Sequence, residues 1–98
     1  MIAPTKNKVC VVIRETSRAA VERAISLTQG KAGVVELRLD YLMLNELTLS
    51  NVSKWVRLAN CPVILTLRRE QNGGEFLGSE TEQLEISTRL VNSLSMQA

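Results

Sequence analysis

The sequence predicts an α/β fold made of three βα units of a (β/α)8 TIM barrel, with parallel strands and an incomplete barrel. Three short apolar runs rich in β-branched residues alternate with three stretches whose apolar residues recur at helical spacing. Strands that alternate with helices favour right-handed crossovers and a parallel sheet. The chain has 98 residues, whereas a complete barrel needs about 250. We therefore expect residues 1–98 to form the N-terminal part of a single barrel domain.

The first βα unit begins with a strand at residues 8–13, which read KVCVVI. The run is almost continuously apolar, which is typical of a parallel strand covered on both faces. Thr16 or Ser17 can then cap a helix. Gly30 lies just past the end of that helix, where a left-handed residue is common. The apolar positions of this helix follow a spacing near 3.6: Ala20, Val21, Ala24, Ile25 and Thr28.

The second unit has a strand at residues 34–39 (VVELRL), followed by a loop at residues 40–46. Ser50 is a candidate cap for the second helix. Trp55 lies on the apolar stripe of this helix and is expected in the core. The whole stripe is Val52, Trp55, Val56 and Ala59.

The third unit has a strand at residues 62–67 (PVILTL) and then a polar loop that contains three glycines. Residues 79–82 read SETE, the S-x-x-E pattern of a capping box at a helix start. The third helix is expected to bury four apolar residues: Ile86, Leu90, Val91 and Leu94.

Composition excludes several functional classes. The net charge of +2 and the 3% of aromatic residues argue against nucleic-acid binding. No apolar run has the roughly 18 residues of a membrane span. The chain has no His, so it offers no histidine ligand for a metal ion. The glycines near residue 73 match neither a P-loop nor a dinucleotide fingerprint. We expect no cofactor, metal ion, nucleic acid or membrane partner.

The two cysteines, Cys10 and Cys61, each lie inside an apolar run. This placement favours buried thiols in a reducing compartment, and it predicts a cytoplasmic protein. A disulfide or a metal site is the alternative that the pattern leaves open.

Charged residues on the second predicted strand require an explanation, because a buried parallel strand is normally apolar on both faces. Glu36, Arg38 and Asp40 alternate with apolar residues and therefore share one face. In a barrel this face lines the interior, whose carboxyl end carries active sites. Glu36 and Arg38 together can bind a hydroxylated ligand through hydrogen bonds. The alternative is an exposed edge strand that carries a solvated ion pair.

The third strand repeats this pattern, with Thr66 and Arg68 on one face and Arg68 at the carboxyl end. Arg68 alone could be an ordinary loop arginine. Its position beside Arg38 on the neighbouring strand favours a shared ligand. Arg69 and Glu70, which follow, are expected to point to solvent.

These residues together resemble the type I 3-dehydroquinate dehydratase family. The segments VELRLDYL (residues 35–42) and CPVILTLRREQNGGEF (residues 61–76) carry the resemblance. The resemblance implies a (β/α)8 lyase of the shikimate pathway. Such an enzyme converts 3-dehydroquinate to 3-dehydroshikimate through a Schiff base on a lysine, with a histidine that shuttles protons.

The resemblance also implies roles for particular residues. Glu36, Arg38 and Arg68 match positions that bind the substrate. Asn72 stands where the family usually has a glutamate that supports the catalytic histidine, and an amide cannot supply that charge. The catalytic lysine and histidine lie on later strands, so no catalytic residue falls within this chain. We expect an N-terminal piece of the enzyme, or of a fused enzyme, that is inactive alone.

Two alternatives come from other functional classes. The first is a non-catalytic truncated α/β module that acts through self-association or by binding a partner, including the remainder of a barrel. The second is a flavodoxin-like regulator, which would place acidic residues at the end of the first strand. The segment at residues 12–14 (VIR) lacks them.

Overall fold

A three-stranded parallel sheet forms the centre of the fold. The computed structural model describes residues 9–95. The strands and helices alternate as β1 (Cys10–Ile13), α1 (Arg18–Thr28), β2 (Val34–Arg38), α2 (Leu49–Ala59), β3 (Val63–Thr66) and α3 (Glu80–Ser95). The strands are parallel and lie in the order β1-β2-β3. The predicted βαβαβα order is confirmed, with strands one or two residues shorter than expected. Lys8, the predicted first residue of β1, lies outside the described residues.

The strand order distinguishes between two of the expected folds. A flavodoxin-like sheet places its first strand between the second and third. Here β2 lies between β1 and β3, and each strand pairs with its neighbour in sequence. The flavodoxin-like alternative is therefore wrong, whereas sequential parallel strands are the arrangement found in a (β/α)8 barrel.

The helices cover one face of the sheet, and the core lies between these two layers. Val35 and Leu37 of β2 are buried there, together with Val52 and Trp55 of α2. Trp55 is fully buried, as predicted, and its indole Nε1 donates to Oε2 of Glu22 on α1 at 3.1 Å. Burial alone would raise the pKa of Glu22. Hydrogen bonds from Trp55 and Lys54, together with the positive charges of Lys54 and Arg18, outweigh burial and lower this pKa.

The opposite face of the sheet is uncovered within residues 9–95. Val12, Glu36 and Ile64 lie side by side across it. Val12 is 42% exposed and Ile64 is 50% exposed. The prediction that the first strand is covered on both faces is therefore wrong, and so is the buried Cys10. Cys10 shares the open face with Val12 and is exposed, while Cys61 is partly buried, and both thiols are free.

Local hydrogen bonds explain where the helices begin. Ser17 caps α1 by accepting from the backbone N–H of Ala20 at 3.2 Å, as predicted. The cap of α2 is Thr48, not Ser50, because Thr48 Oγ1 accepts from the N–H of Asn51 at 3.1 Å and Ser50 already lies within the first turn.

The capping box of α3 forms as predicted. Ser79 Oγ accepts from the N–H of Glu82, and Glu82 Oε1 accepts from the N–H of Ser79. Leu90 is buried and Ile86 packs against the core. The predicted burial of Val91 and Leu94 lies outside the described side chains. Within residues 9–95, no helix has the length and apolar character to cross a membrane.

Candidate functional site

The candidate site lies where the strands end, on the open face of the sheet and in the loops that follow β2 and β3. β2 is the central strand, so the alternative of an exposed edge strand is wrong. Its charged residues therefore project from the middle of the sheet. Glu36 is partly buried there and accepts a 2.7 Å hydrogen bond from Thr66 Oγ1 of β3.

Arg38 pairs with Asp40 rather than with Glu36. Arg38 Nε donates to Asp40 Oδ1 at 3.0 Å, and Arg38 Nη2 donates to Asp40 Oδ2 at 2.9 Å. The Arg38 side chain is 9% exposed and the Asp40 side chain 0%. The guanidinium also lies over the ring of Tyr41, at 5.2 Å from its centroid. This two-point pair with stacking fixes the plane of the guanidinium.

Asp40 carries a negative charge in this buried position. Burial alone would raise the pKa of its carboxyl group. Hydrogen bonds from Arg38 and from the backbone N–H of Glu75 outweigh burial and hold the pKa below its usual value. The hydrogen bonds to Asp40 raise the pKa of Arg38 in turn. The sequence pattern places Asp40 on the same face as Glu36 and Arg38 without indicating a role for it, and the E-x-R-x-D spacing is the signal from which that role could have been predicted.

The loop after β3 folds back against the end of that strand. Phe76 N–H donates to the carbonyl of Arg68 at 3.0 Å, and Gly74 N–H donates to the carbonyl of Arg69 at 2.9 Å. Gly74 must lack a side chain, because a Cβ there would lie 2.1 Å from the Arg68 carbonyl oxygen. Gly73 has a φ of 86°, in the left-handed region that glycine favours. The two glycines thus build a tight loop, and Asp40 anchors it through Glu75 N–H.

Arg68 is exposed at the carboxyl end of β3. Within residues 9–95, no carboxylate or carbonyl accepts a hydrogen bond from its guanidinium. Arg69 was expected in solvent but is only 17% exposed, and its Nη2 lies 3.7 Å from Glu80 Oε2. Its Nη1 also donates to Gln71 Oε1 at 3.3 Å, so contacts with the loop and with α3 account for this difference. Glu70 is exposed, as expected.

Asn72 is exposed and ends the short 3₁₀ turn Glu70–Asn72. Its backbone N–H donates to the carbonyl of Arg69 at 2.9 Å. The side chain is therefore carried on a defined turn beside the loop glycines.

A cavity of about 740 Å³ lies between the loops that follow β2 and β3. Its lining includes Asp40, Tyr41, Met43, Glu75 and Leu77. Glu36, Arg38 and Arg68 do not line it. The structure therefore places the predicted ligand-binding residues on the open sheet face and the adjacent strand end, outside this cavity. Within residues 9–95, no three His, Cys, Asp or Glu residues are grouped to hold a metal ion.

The family model described as Type I 3-dehydroquinase matches residues 9–96, which is most of the chain. The chain belongs to the type I 3-dehydroquinase family. A 3-dehydroquinate dehydratase from Methanopyrus kandleri is 40% identical over 74 residues, which cover 71% of this chain and 33% of that protein.

The structure of 3-dehydroquinate dehydratase from Enterococcus faecalis shares this fold, with a TM-score of 0.73 and 30% identity. The match covers 94% of this chain and 40% of that one. The chain thus spans a third to two fifths of the length of these dehydratases. The predicted family and the predicted α/β fold of three parallel strands are confirmed.

Proposed function

We propose that the chain supplies the first substrate-binding strands of a barrel that dehydrates 3-dehydroquinate to 3-dehydroshikimate in the cytoplasmic shikimate pathway. The observation that carries this proposal is the pair of arginines at adjacent strand ends in a member of the type I 3-dehydroquinase family. Arg38 is held in one orientation by Asp40. Arg68 is exposed and has no acceptor within the described residues.

Each of the three residues suits a polyhydroxylated carboxylic acid such as 3-dehydroquinate. The carboxylate oxygens of Glu36 can accept hydrogen bonds from hydroxyl groups. Arg38 has five N–H donors, of which Asp40 takes two, so three remain for a ligand. Arg68 adds, at the next strand end, a guanidinium that has no acceptor within residues 9–95. Binding by these groups would orient the substrate rather than transform it.

The chemical step requires groups from outside this chain. Schiff-base catalysis needs a lysine in a desolvated site, and Lys31 and Lys54 are exposed. The 98 residues contain no His that could shuttle protons. We propose that the rest of the barrel supplies both groups and completes the sheet beyond β1 and β3. The chain alone is then inactive.

Asn72 affects the electrostatics of the proposed site. The family resemblance places here a glutamate that supports the catalytic histidine. An amide at this position cannot stabilise a protonated imidazole by charge. We therefore propose a weaker proton shuttle in any barrel that contains this chain, with substrate binding unaffected.

A second candidate function is non-catalytic self-association or partner binding. The observation that favours it is the uncovered sheet face with Val12 and Ile64, bordered by the free edges of β1 and β3 within residues 9–95. Such edges and apolar faces pair with other chains.

The test of the proposed function is a chimaera in which residues 9–95 replace the matching segment of the Enterococcus faecalis dehydratase. If the proposal holds, the chimaera dehydrates 3-dehydroquinate, which is followed by the absorbance of the conjugated product. The parent enzyme is the positive control. A folded chimaera that binds no 3-dehydroquinate would contradict the proposal and favour the non-catalytic alternative.

A further inference from the structure

We infer that Asp40 is a positioning residue that holds Arg38 and the loop after β3 in the arrangement needed for ligand binding. The inference deepens the proposed function and rests on it for the identity of the ligand. Asp40 borders the cavity between the loops, but its side chain is 0% exposed and both carboxylate oxygens already accept hydrogen bonds from Arg38 and Glu75. Its effect must therefore pass through the groups that it contacts.

The first contact fixes the direction of Arg38. Asp40 accepts from Nε and Nη2, which are adjacent on one edge of the guanidinium. This side-on pair leaves Nη1 free of the carboxylate. The stacking of Arg38 on Tyr41 restrains the same plane from one side. An arginine held in this way loses little conformational freedom when it binds a ligand.

The second contact connects Asp40 to the backbone at Arg68, which follows β3. Asp40 Oδ2 accepts from Glu75 N–H at 2.9 Å. The next residue, Phe76, donates its N–H to the carbonyl of Arg68 at 3.0 Å. One carboxylate thus restrains Arg38 directly and the backbone at Arg68 through two successive loop residues, Glu75 and Phe76. Neither link involves Glu36, which is bonded to Thr66.

Two substitutions separate these contacts. Asp40→Asn retains an oxygen that can accept from Glu75 N–H, but it removes the charged two-point acceptor for Arg38. Asp40→Glu retains the charge on a longer side chain. The matched control is Glu70→Gln, which removes the same charge from an exposed position on the loop after β3.

The experiment measures how fast phenylglyoxal modifies each arginine of the full 98-residue chain, with the sites mapped by peptide mass spectrometry. In the native chain Arg38 should react at least about tenfold more slowly than Arg68, a factor that corresponds to about 1.4 kcal/mol. Asp40→Asn should raise the Arg38 rate by about the same factor. Arg69 is the internal control, because its mostly buried side chain reacts faster only if the loop or the whole fold opens.

Several results would overturn the inference. One is that phenylglyoxal modifies Arg38 as fast as Arg68 in the native chain, a comparison that requires no variant. Another is an Arg38 rate that stays unchanged in Asp40→Asn. Asp40→Glu should keep the Arg38 rate within about threefold of native, because the charge remains. If Asp40→Asn unfolds, phenylglyoxal will modify Arg69 faster as well. The modification rates of Arg38 in the native chain and in Asp40→Glu then test whether Asp40 positions Arg38. A rate increase in Asp40→Glu without one at Arg69 would refute positioning by charge.

The same modification rates, measured with 3-dehydroquinate present, test the proposed function separately. Under the proposal, 3-dehydroquinate slows the modification of Arg38 and Arg68 in the native chain, and less so in Asp40→Asn. Arginine rates that behave as expected without any protection by 3-dehydroquinate would support the role of Asp40 and contradict the proposed ligand. Protection that is equal in the native chain and Asp40→Asn would contradict the role of Asp40 and support the ligand.

Discussion

The uncovered sheet face should drive association between copies of the chain. Val12 and Ile64 keep about half of their surface exposed. Full burial of such a side chain contributes about 1.5–3 kcal/mol, so covering the remaining half contributes about 1 kcal/mol. Two copies packed face to face cover four such side chains, for about 4 kcal/mol in total. This energy corresponds to about a thousandfold in the dissociation constant.

The double substitution Val12→Thr and Ile64→Thr should weaken this association, and it keeps β-branched side chains in the strands. Because each Thr retains a methyl group, we expect the dissociation constant to rise by about a hundredfold rather than by the full factor. Sedimentation velocity at micromolar protein concentration measures this dissociation constant. The control is Leu27→Gln, since Leu27 is exposed on α1 and lies in the helical layer.

Association does not use the open sheet face if the double variant associates as tightly as the native chain, or if Leu27→Gln dissociates to the same extent. A sharp monomer peak of the native chain at 10.9 kDa with cooperative melting would also contradict the prediction. That result would show that three βα units can form a stable fold without a cover on the open sheet face.

Three further predictions concern chemistry and stability. Borohydride reduction of the isolated chain with 3-dehydroquinate should leave its mass unchanged, and a reduced adduct on any lysine would disprove the proposed inactivity. Trp55→Ala should lower the free energy of unfolding by about 3–5 kcal/mol in urea titrations followed by circular dichroism, against less than about 1 kcal/mol for the exposed Leu58→Ala. The folded-state pKa values of Asp40 and Glu22 lie below their ordinary values near 4, so their stabilisation is complete above that pH and is lost as the pH falls below it. The melting temperature should therefore fall as the pH drops below about 4, and less steeply in Glu22→Gln; parallel pH profiles for the two chains would contradict this assignment.

The sequence was sufficient for the order of elements and for the family. The apolar pattern identified the three strands and three α-helices that the structure describes within residues 9–95, and the two segments around Arg38 and Arg68 identified the type I 3-dehydroquinases. Periodicity cannot show which face of a sheet is covered, because that depends on which elements pack there. The exposure of Cys10 was missed for this reason.

The details of the site could not be read from the sequence for a related reason. The alternation of Glu36, Arg38 and Asp40 gave the shared face but not the pairing. β2 ends at Arg38, and a 3₁₀ turn over Leu39–Tyr41 follows. This turn brings the Asp40 carboxylate back onto the guanidinium. The contact between Asp40 and Glu75 N–H joins positions 35 residues apart, which no local pattern reports.

The catalytic efficiency of the chimaera tests whether Arg68 binds substrate in the completed barrel, as we propose. A lost hydrogen bond to a charged group costs about 1.5–3 kcal/mol, so Arg68→Ala should lower kcat/KM by at least about tenfold. Arg89→Ala, which removes an exposed arginine from α3, is the matched control and should leave kcat/KM unchanged. If the Arg68→Ala chimaera has the same kcat/KM as the unsubstituted chimaera, Arg68 does not bind the substrate.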